Sequence, residues 1–163
     1  RKASFSPLDE LANGGFREVI PETDAVEPST VDRLVLCSGK VYYDILETRR
    51  EKAVAGVAIA RVEQLSPYPA EAVAAELARY PKLREVVWTQ EEPENQGAWY
   101  FVRDRLTGAL VPGQTLLYAG RPNMAAPSGG DYHRHLERQK ELVEAALDLP
   151  STFAAVPAGV AGK

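Results

Sequence analysis

Hydrophobic and polar residues follow two periods along this chain. Short apolar or alternating runs stand at Arg33-Leu34-Val35-Leu36-Cys37, at Val57 to Val62, at Glu85-Val86-Val87-Trp88-Thr89 and at Thr115-Leu116-Leu117-Tyr118-Ala119. Between them, residues return to one side every three or four positions: Val41, Ile45 and Leu46; Val73, Leu77 and Tyr80; Trp99, Val102, Leu106 and Leu110; Leu136, Gln139, Val143 and Ala146. The first period belongs to strands and the second to helices. The spacing predicts helices over 39–52, from Pro69 to Tyr80, over 97–110 and over 132–149. Pro69 opens the second of these and Pro150 stops the last. Phe16 to Ile20 alternates and predicts one more strand, stopped by Pro21. Ser6 to Leu11 predicts a short helix ended by Asn13-Gly14-Gly15. Strands alternating with helices imply right-handed parallel crossovers, hence an α/β fold of three layers.

Each of the four main strands ends in polar residues: Ser38-Gly39-Lys40, Glu63-Gln64, Gln90-Glu91-Glu92 and Gly120-Arg121. The carboxyl ends of parallel strands share one edge, where open α/β sheets place ligands and partner surfaces. Four separate pieces of sequence are therefore expected on one rim.

Composition narrows the picture. With 163 residues, 45% hydrophobic and 26% charged, the chain can bury a real core. A net charge of −4 gives no electrostatic case for nucleic acid. Cys37 is the only cysteine, so no intrachain disulfide can form. No apolar run approaches the roughly 20 residues of a membrane helix, so no membrane role is expected. The start at Arg1-Lys2 without Met reads as a cut inside a longer protein. Three segments are expected: 1–30 as linker and edge strand, 31–149 as the α/β domain, and an Ala-, Pro- and Gly-rich tail over 150–163 that is disordered.

The rim offers chemistry of several kinds. Ser38-Gly39-Lys40 joins a strand to a helix, whose first N–H groups and the Lys40 charge suit a phosphate; a tight turn capped by Ser38 is the alternative. Glu91-Glu92-Pro93-Glu94-Asn95-Gln96-Gly97 is a strongly polar loop. Its paired carboxylates could do acid–base work, but an interface loop with Glu92 or Asn95 capping the next helix fits better, since no nucleophile accompanies them. Arg121 can clamp an anion or pair with the glutamates. Ser128-Gly129-Gly130 flanks the same long loop. His133 and His135 are two apart, which puts them on different helix faces and excludes a shared metal. Cys37 reads as a core thiol. Trp88 and Trp99 read as core or interface aromatics. No catalytic residue is assigned.

At these residues the chain resembles a known family. Cys37-Ser38-Gly39-Lys40-Val41-Tyr42-Tyr43-Asp44, Arg61-Val62-Glu63-Gln64-Leu65 with Pro67-Tyr68-Pro69, the segment from Trp88 to Trp99, and Tyr118-Ala119-Gly120-Arg121-Pro122 resemble the C-terminal domain of the thiamine-dependent first component of the 2-oxoglutarate dehydrogenase complex. The likeness runs in register from about Ser4 to Leu149. Departures include Thr89, where many relatives have Cys, the 123–131 loop and His133-Arg134-His135. The resemblance implies a transketolase C-terminal-like domain with a mostly parallel five-stranded sheet and one antiparallel strand. It implies a parent enzyme that decarboxylates 2-oxoglutarate on thiamine diphosphate with Mg²⁺ and passes succinyl to the lipoyl group of the second component. Those cofactor motifs are absent here, so the fragment is expected to be inactive alone and to serve structure, dimerisation or regulation. Partners would be the upstream domains, a second copy, the succinyltransferase component, and an AMP or acetyl-CoA regulator held by Ser38, Lys40 and Arg121. Glu63, Gln64, Gln90, Glu91, Glu92, Asn95, Gln96 and Trp99 would form the rim or interface. The compartment would be the cytoplasm of a bacterium or the mitochondrial matrix of a eukaryote. The alternative is a free-standing nucleotide- or acetyl-CoA-binding regulatory module.

Overall fold

A computed structural model describes residues 4–126, 130–151 and 154–158. Arg1-Lys2, Ser128-Gly129 and half of the 150–163 tail lie outside the described residues. One sheet runs through the molecule in the order β1-β3-β2-β4-β5-β6. The strands are β1 (Val19–Ile20), β2 (Arg33–Cys37), β3 (Val57–Val62), β4 (Glu85–Pro93), β5 (Thr115–Arg121) and β6 (Val156–Pro157). The four inner strands are parallel, and β1 pairs antiparallel with β3, as Val19 opposite Val62.

Two features differ from the sequence expectation. The sheet has a sixth strand, because Val156 and Pro157 of the expected disordered tail pair antiparallel with Tyr118 and Leu117. A two-residue strand leaves no periodicity to detect. In addition, β4 and β5 run past their apolar stretches to Pro93 and Arg121, which pair across a register shift after Thr89. Polar residues there continue the ladder because the backbone, not the side chain, makes it.

Five helices complete the fold: α1 (Leu8–Asn13), α2 (Val41–Glu51), α3 (Ala70–Ala78), α4 (Trp99–Ala109) and α5 (Tyr132–Ala146). Strand alternation divides the apolar side chains into two cores. Leu34, Leu36, Ala58, Val86, Trp88 and Tyr118 meet Val73 and Leu77 of α3 and Val102 and Leu106 of α4. Val35, Cys37, Ile59, Val87, Leu117 and Ala119 meet Ile45 of α2 and Leu142, Val143 and Ala146 of α5. The faces follow from handedness. The chain steps from β2 to β3 in one direction, then returns past β2 to β4 and β5. A right-handed crossover changes face when its direction reverses, so α2 lies opposite α3 and α4. The reversal leaves a crevice between the carboxyl ends of β2 and β4, whose connections leave to opposite faces.

Candidate functional site at the carboxyl edge of the sheet

The register places Cys37 beside both Arg61 and Thr89, and Thr89 beside Ala119. Ser38, Glu63, Gln90 and Arg121 therefore lie along one edge, as the strand pattern predicts. The period of two then sorts the rim by face. Arg61, Glu91 and Arg121 fall on the α2/α5 face, while Gln90 follows Val86 and Trp88 onto the other.

Across the crevice, Lys40 Nζ donates to Glu91 Oε1. The same carboxylate oxygen accepts from Gln139 Nε2 at 2.9 Å, and that nitrogen also reaches Asp44 Oδ2 at 2.9 Å. Lys40 is largely exposed and Glu91 is mostly covered. Gly39 leads into α2 at φ 71°, a backbone conformation that glycine adopts without a Cβ penalty. Helix α2 begins with no side-chain cap. The Ser38 cap considered from sequence is thus not formed, and the Tyr43 N–H of the first turn points back to the Lys40 carbonyl at 3.1 Å.

Arg121 is buried, at 6% exposure. Its Nη2 donates to His135 Nδ1 at 3.1 Å and to Gln139 Oε1 at 3.5 Å, and its Nε has no partner. Glu91 thus holds Lys40 and Gln139, while neither hydrogen-bond partner of Arg121 is a carboxylate. A groove of about 570 Å³ between α2 and α5 opens on this network, lined in part by Lys40, Asp44, Glu91, His135 and Gln139.

The other rim residues do structural work. Gln90 is buried and ties the loop from inside. Its Oε1 accepts from Trp88 Nε1 at 3.0 Å and from the Trp99 N–H at 2.9 Å, and its Nε2 donates to the Pro93 carbonyl at 3.1 Å. Gln90, rather than Glu92 or Asn95, therefore supplies an acceptor to the first turn of α4. Gly97 lies so close that a Cβ would overlap the Gln90 amide. Trp99 packs on Tyr118 in the core, with ring centroids 4.9 Å apart. Both residues thus underlie the rim instead of facing outward. Asn95 makes a reciprocal pair with the Met124 backbone at 3.0 Å, and Gln96 donates to the same carbonyl at 2.8 Å. These bonds join the β4 and β5 loops into one ledge. Glu92 is exposed on its outer side. Gln64 Nε2 donates to the Pro67 carbonyl at 2.9 Å, and Glu63 Oε1 lies 3.7 Å from Arg61 Nε.

Sequence reasoning missed Arg61 as a rim cation. Its guanidinium stacks 4.5 Å from the Tyr42 ring centroid, and Nη1 donates to Tyr43 Oη at 3.2 Å. The signal was available: Ile59 and Arg61 share a strand face turned toward α2. Burial pushes the Cys37 thiol up, so it stays protonated as a core group.

Among the described residues no three His, Cys, Asp or Glu groups converge as metal ligands. No helix there is long and apolar enough to cross a membrane.

Residues 5–147 match the family described as 2-oxoglutarate dehydrogenase C-terminal. Over 146 residues, 90% of the chain, it is 50% identical to the 2-oxoglutarate dehydrogenase E1 component of Cupriavidus necator and 50% identical to that of Haemophilus influenzae. Over 152 residues it is 40% identical to the mitochondrial 2-oxoglutarate dehydrogenase of Caenorhabditis elegans. The aligned stretch covers only 15% or 16% of each of these relatives.

Proposed function

The chain belongs to the 2-oxoglutarate dehydrogenase C-terminal family, and on that footing we propose that it is the closing domain of such an E1 component, non-catalytic by itself. The parent enzyme would decarboxylate 2-oxoglutarate on thiamine diphosphate and Mg²⁺ bound elsewhere. It would then hand succinyl to the lipoyl group of the second component, as a homodimer in a multienzyme complex. A bacterial cytoplasm or a mitochondrial matrix would house it. The observation that carries this reading is the co-linear match through all five helices and the inner sheet, including each polar strand end.

The domain's own contribution would be the carboxyl rim. Lys40, Ser38 and the uncapped start of α2 would receive the phosphate of an AMP or acetyl-CoA regulator, with Arg121 adding charge from the neighbouring strand end. Glu91 is the anion that holds Lys40 without such a ligand, so an incoming phosphate would replace a carboxylate. A free-standing regulatory module would use the same atoms.

The catalytic half is tested by supplying the purified chain with 2-oxoglutarate, thiamine diphosphate and Mg²⁺ and measuring released CO₂. No turnover is expected. Turnover by the chain alone would contradict the reading.

A further inference from the structure

Strand β6 lies beyond the part of the chain that builds the cores. The family match ends at residue 147, and among the described residues after Leu147 no side chain is buried. Ala155 and Ala158 only rest against the two cores, and Val156 is 44% exposed. Side chains this small and this open add little apolar burial. The segment is held chiefly by its backbone. Val156 and Pro157 pair antiparallel with Tyr118 and Leu117, and the Ala158 N–H donates to the Leu116 carbonyl at 2.9 Å.

The edge beneath it is apolar. Leu116, Leu117 and Tyr118 are buried, and this stretch of β5 holds no charge, proline or glycine. Sheet edges are ordinarily blunted by such residues, because bare backbone donors and acceptors pair with any strand that meets them. The sides of β5 alternate. The Thr115 N–H donates to the Arg84 carbonyl at 2.8 Å, toward β4. Leu117 therefore faces β4 as well, while Leu116 and Tyr118 turn their N–H and C=O groups outward to β6. Strand β6 carries the blunting that β5 lacks. Pro157 stands opposite Leu117, at the position whose nitrogen points away from β5. That nitrogen bears no hydrogen, so the outer side of β6 lacks a donor and the sheet stops there.

We propose that the β5 edge is a strand-acceptor surface and that residues 155–158 are its occupant, held in cis so that β5 of a second copy cannot pair there. Two bare β5 edges would meet antiparallel about a twofold axis, with Leu116 of one opposite Tyr118 of the other. The segment after α5 thus guards an interaction edge and adds nothing to either core that the fold requires. This does not depend on the functional reading.

Hydrogen exchange and sedimentation of the full-length protein test it. Two variants are compared with the parent. Ala158→Pro removes the donated N–H, and a second variant replaces residues 155–158 by alternating glycine and serine. In both, the Leu116 and Tyr118 amides should exchange about tenfold faster or more. The Leu117 amide, turned to β4, and the Val35 amide of the central strand should keep the parent's rates. The glycine–serine variant should also sediment, as its concentration rises, as a species of twice the parent's mass. Excess peptide Ala-Ala-Val-Pro-Ala, the sequence of residues 154–158, should restore the parent's mass. Unchanged exchange at Leu116 and Tyr118 in both variants would overturn the proposal. So would fast exchange there with no change of mass at any concentration, because the edge would then accept no second copy. Faster exchange at Leu117 and Val35 as well would also overturn it, because β6 would then be part of the fold and not a cover.

Discussion

The two edges of the sheet treat buried arginine in opposite ways. At the amino edge, Arg49 donates to both oxygens of Glu22, to Asp24 at 2.8 Å and to the Val57 carbonyl at 3.0 Å. Arg33, at the same edge, meets Glu85 at 2.8 Å and Asp148 at 3.3 Å. At the carboxyl edge, Arg121 is as buried as these, but its partners are the His135 ring and the Gln139 amide, and its Nε has none. A buried charge without a counterion is costly. The difference teaches that the amino edge is closed by ion pairs, while the carboxyl edge holds a buried guanidinium with no carboxylate hydrogen-bonded to it.

Several experiments can break this contrast. The largest effect is expected from Arg49→Met. It would leave the Glu22 carboxylate, only 3% exposed, without its cation, and should cost about 3–5 kcal/mol in urea unfolding. Next, Gln90→Leu would strip acceptors from Trp88 Nε1 and the Trp99 N–H. It should cost roughly 2–3 kcal/mol, read as a lower thermal midpoint. A loss near zero would show that the β4–α4 loop does not depend on this lock.

Acid should act at the amino edge first. The Arg50 guanidinium, helped by Arg49, holds Asp24 down to about 2 from 3.8. A carboxyl depressed in the folded state stabilises above its ordinary value and loses that contribution as pH falls through the folded one. About 2 kcal/mol should therefore disappear between roughly pH 4 and pH 2, and Asp24→Asn should flatten that part of the stability profile. The smallest effect on stability is expected at the rim. Lys40, 75% exposed, should tolerate Ala within about 0.5 kcal/mol.

Much of this contrast was legible in the sequence. The four inner strands, their order of polar endings and the shared rim followed from periodicity and handedness alone. The burial of Gln90 was not recognised, although its place two residues after Trp88 on the same strand face signalled it. Arg61 was likewise overlooked because it was read as the tail of an apolar run. The ion pairs of Arg49 were not legible, since Glu22 and Asp24 lie in a loop whose path no local pattern dictates. Strand β6 escaped because its pairing is a tertiary event.

The central claim is that the carboxyl edge is the binding edge. Calorimetric titration of the full-length protein with AMP and acetyl-CoA tests it most directly, comparing the parent with Lys40→Ala, Arg121→Ala and the amino-edge control Arg84→Ala. Arg84 is 74% exposed and pairs with Asp32 at the far edge. Lys40→Ala and Arg121→Ala should each weaken binding by about 1.5–3 kcal/mol, roughly tenfold or more, while Arg84→Ala leaves it unchanged. Equal affinities across all four proteins, or no binding to the parent, would contradict the claim.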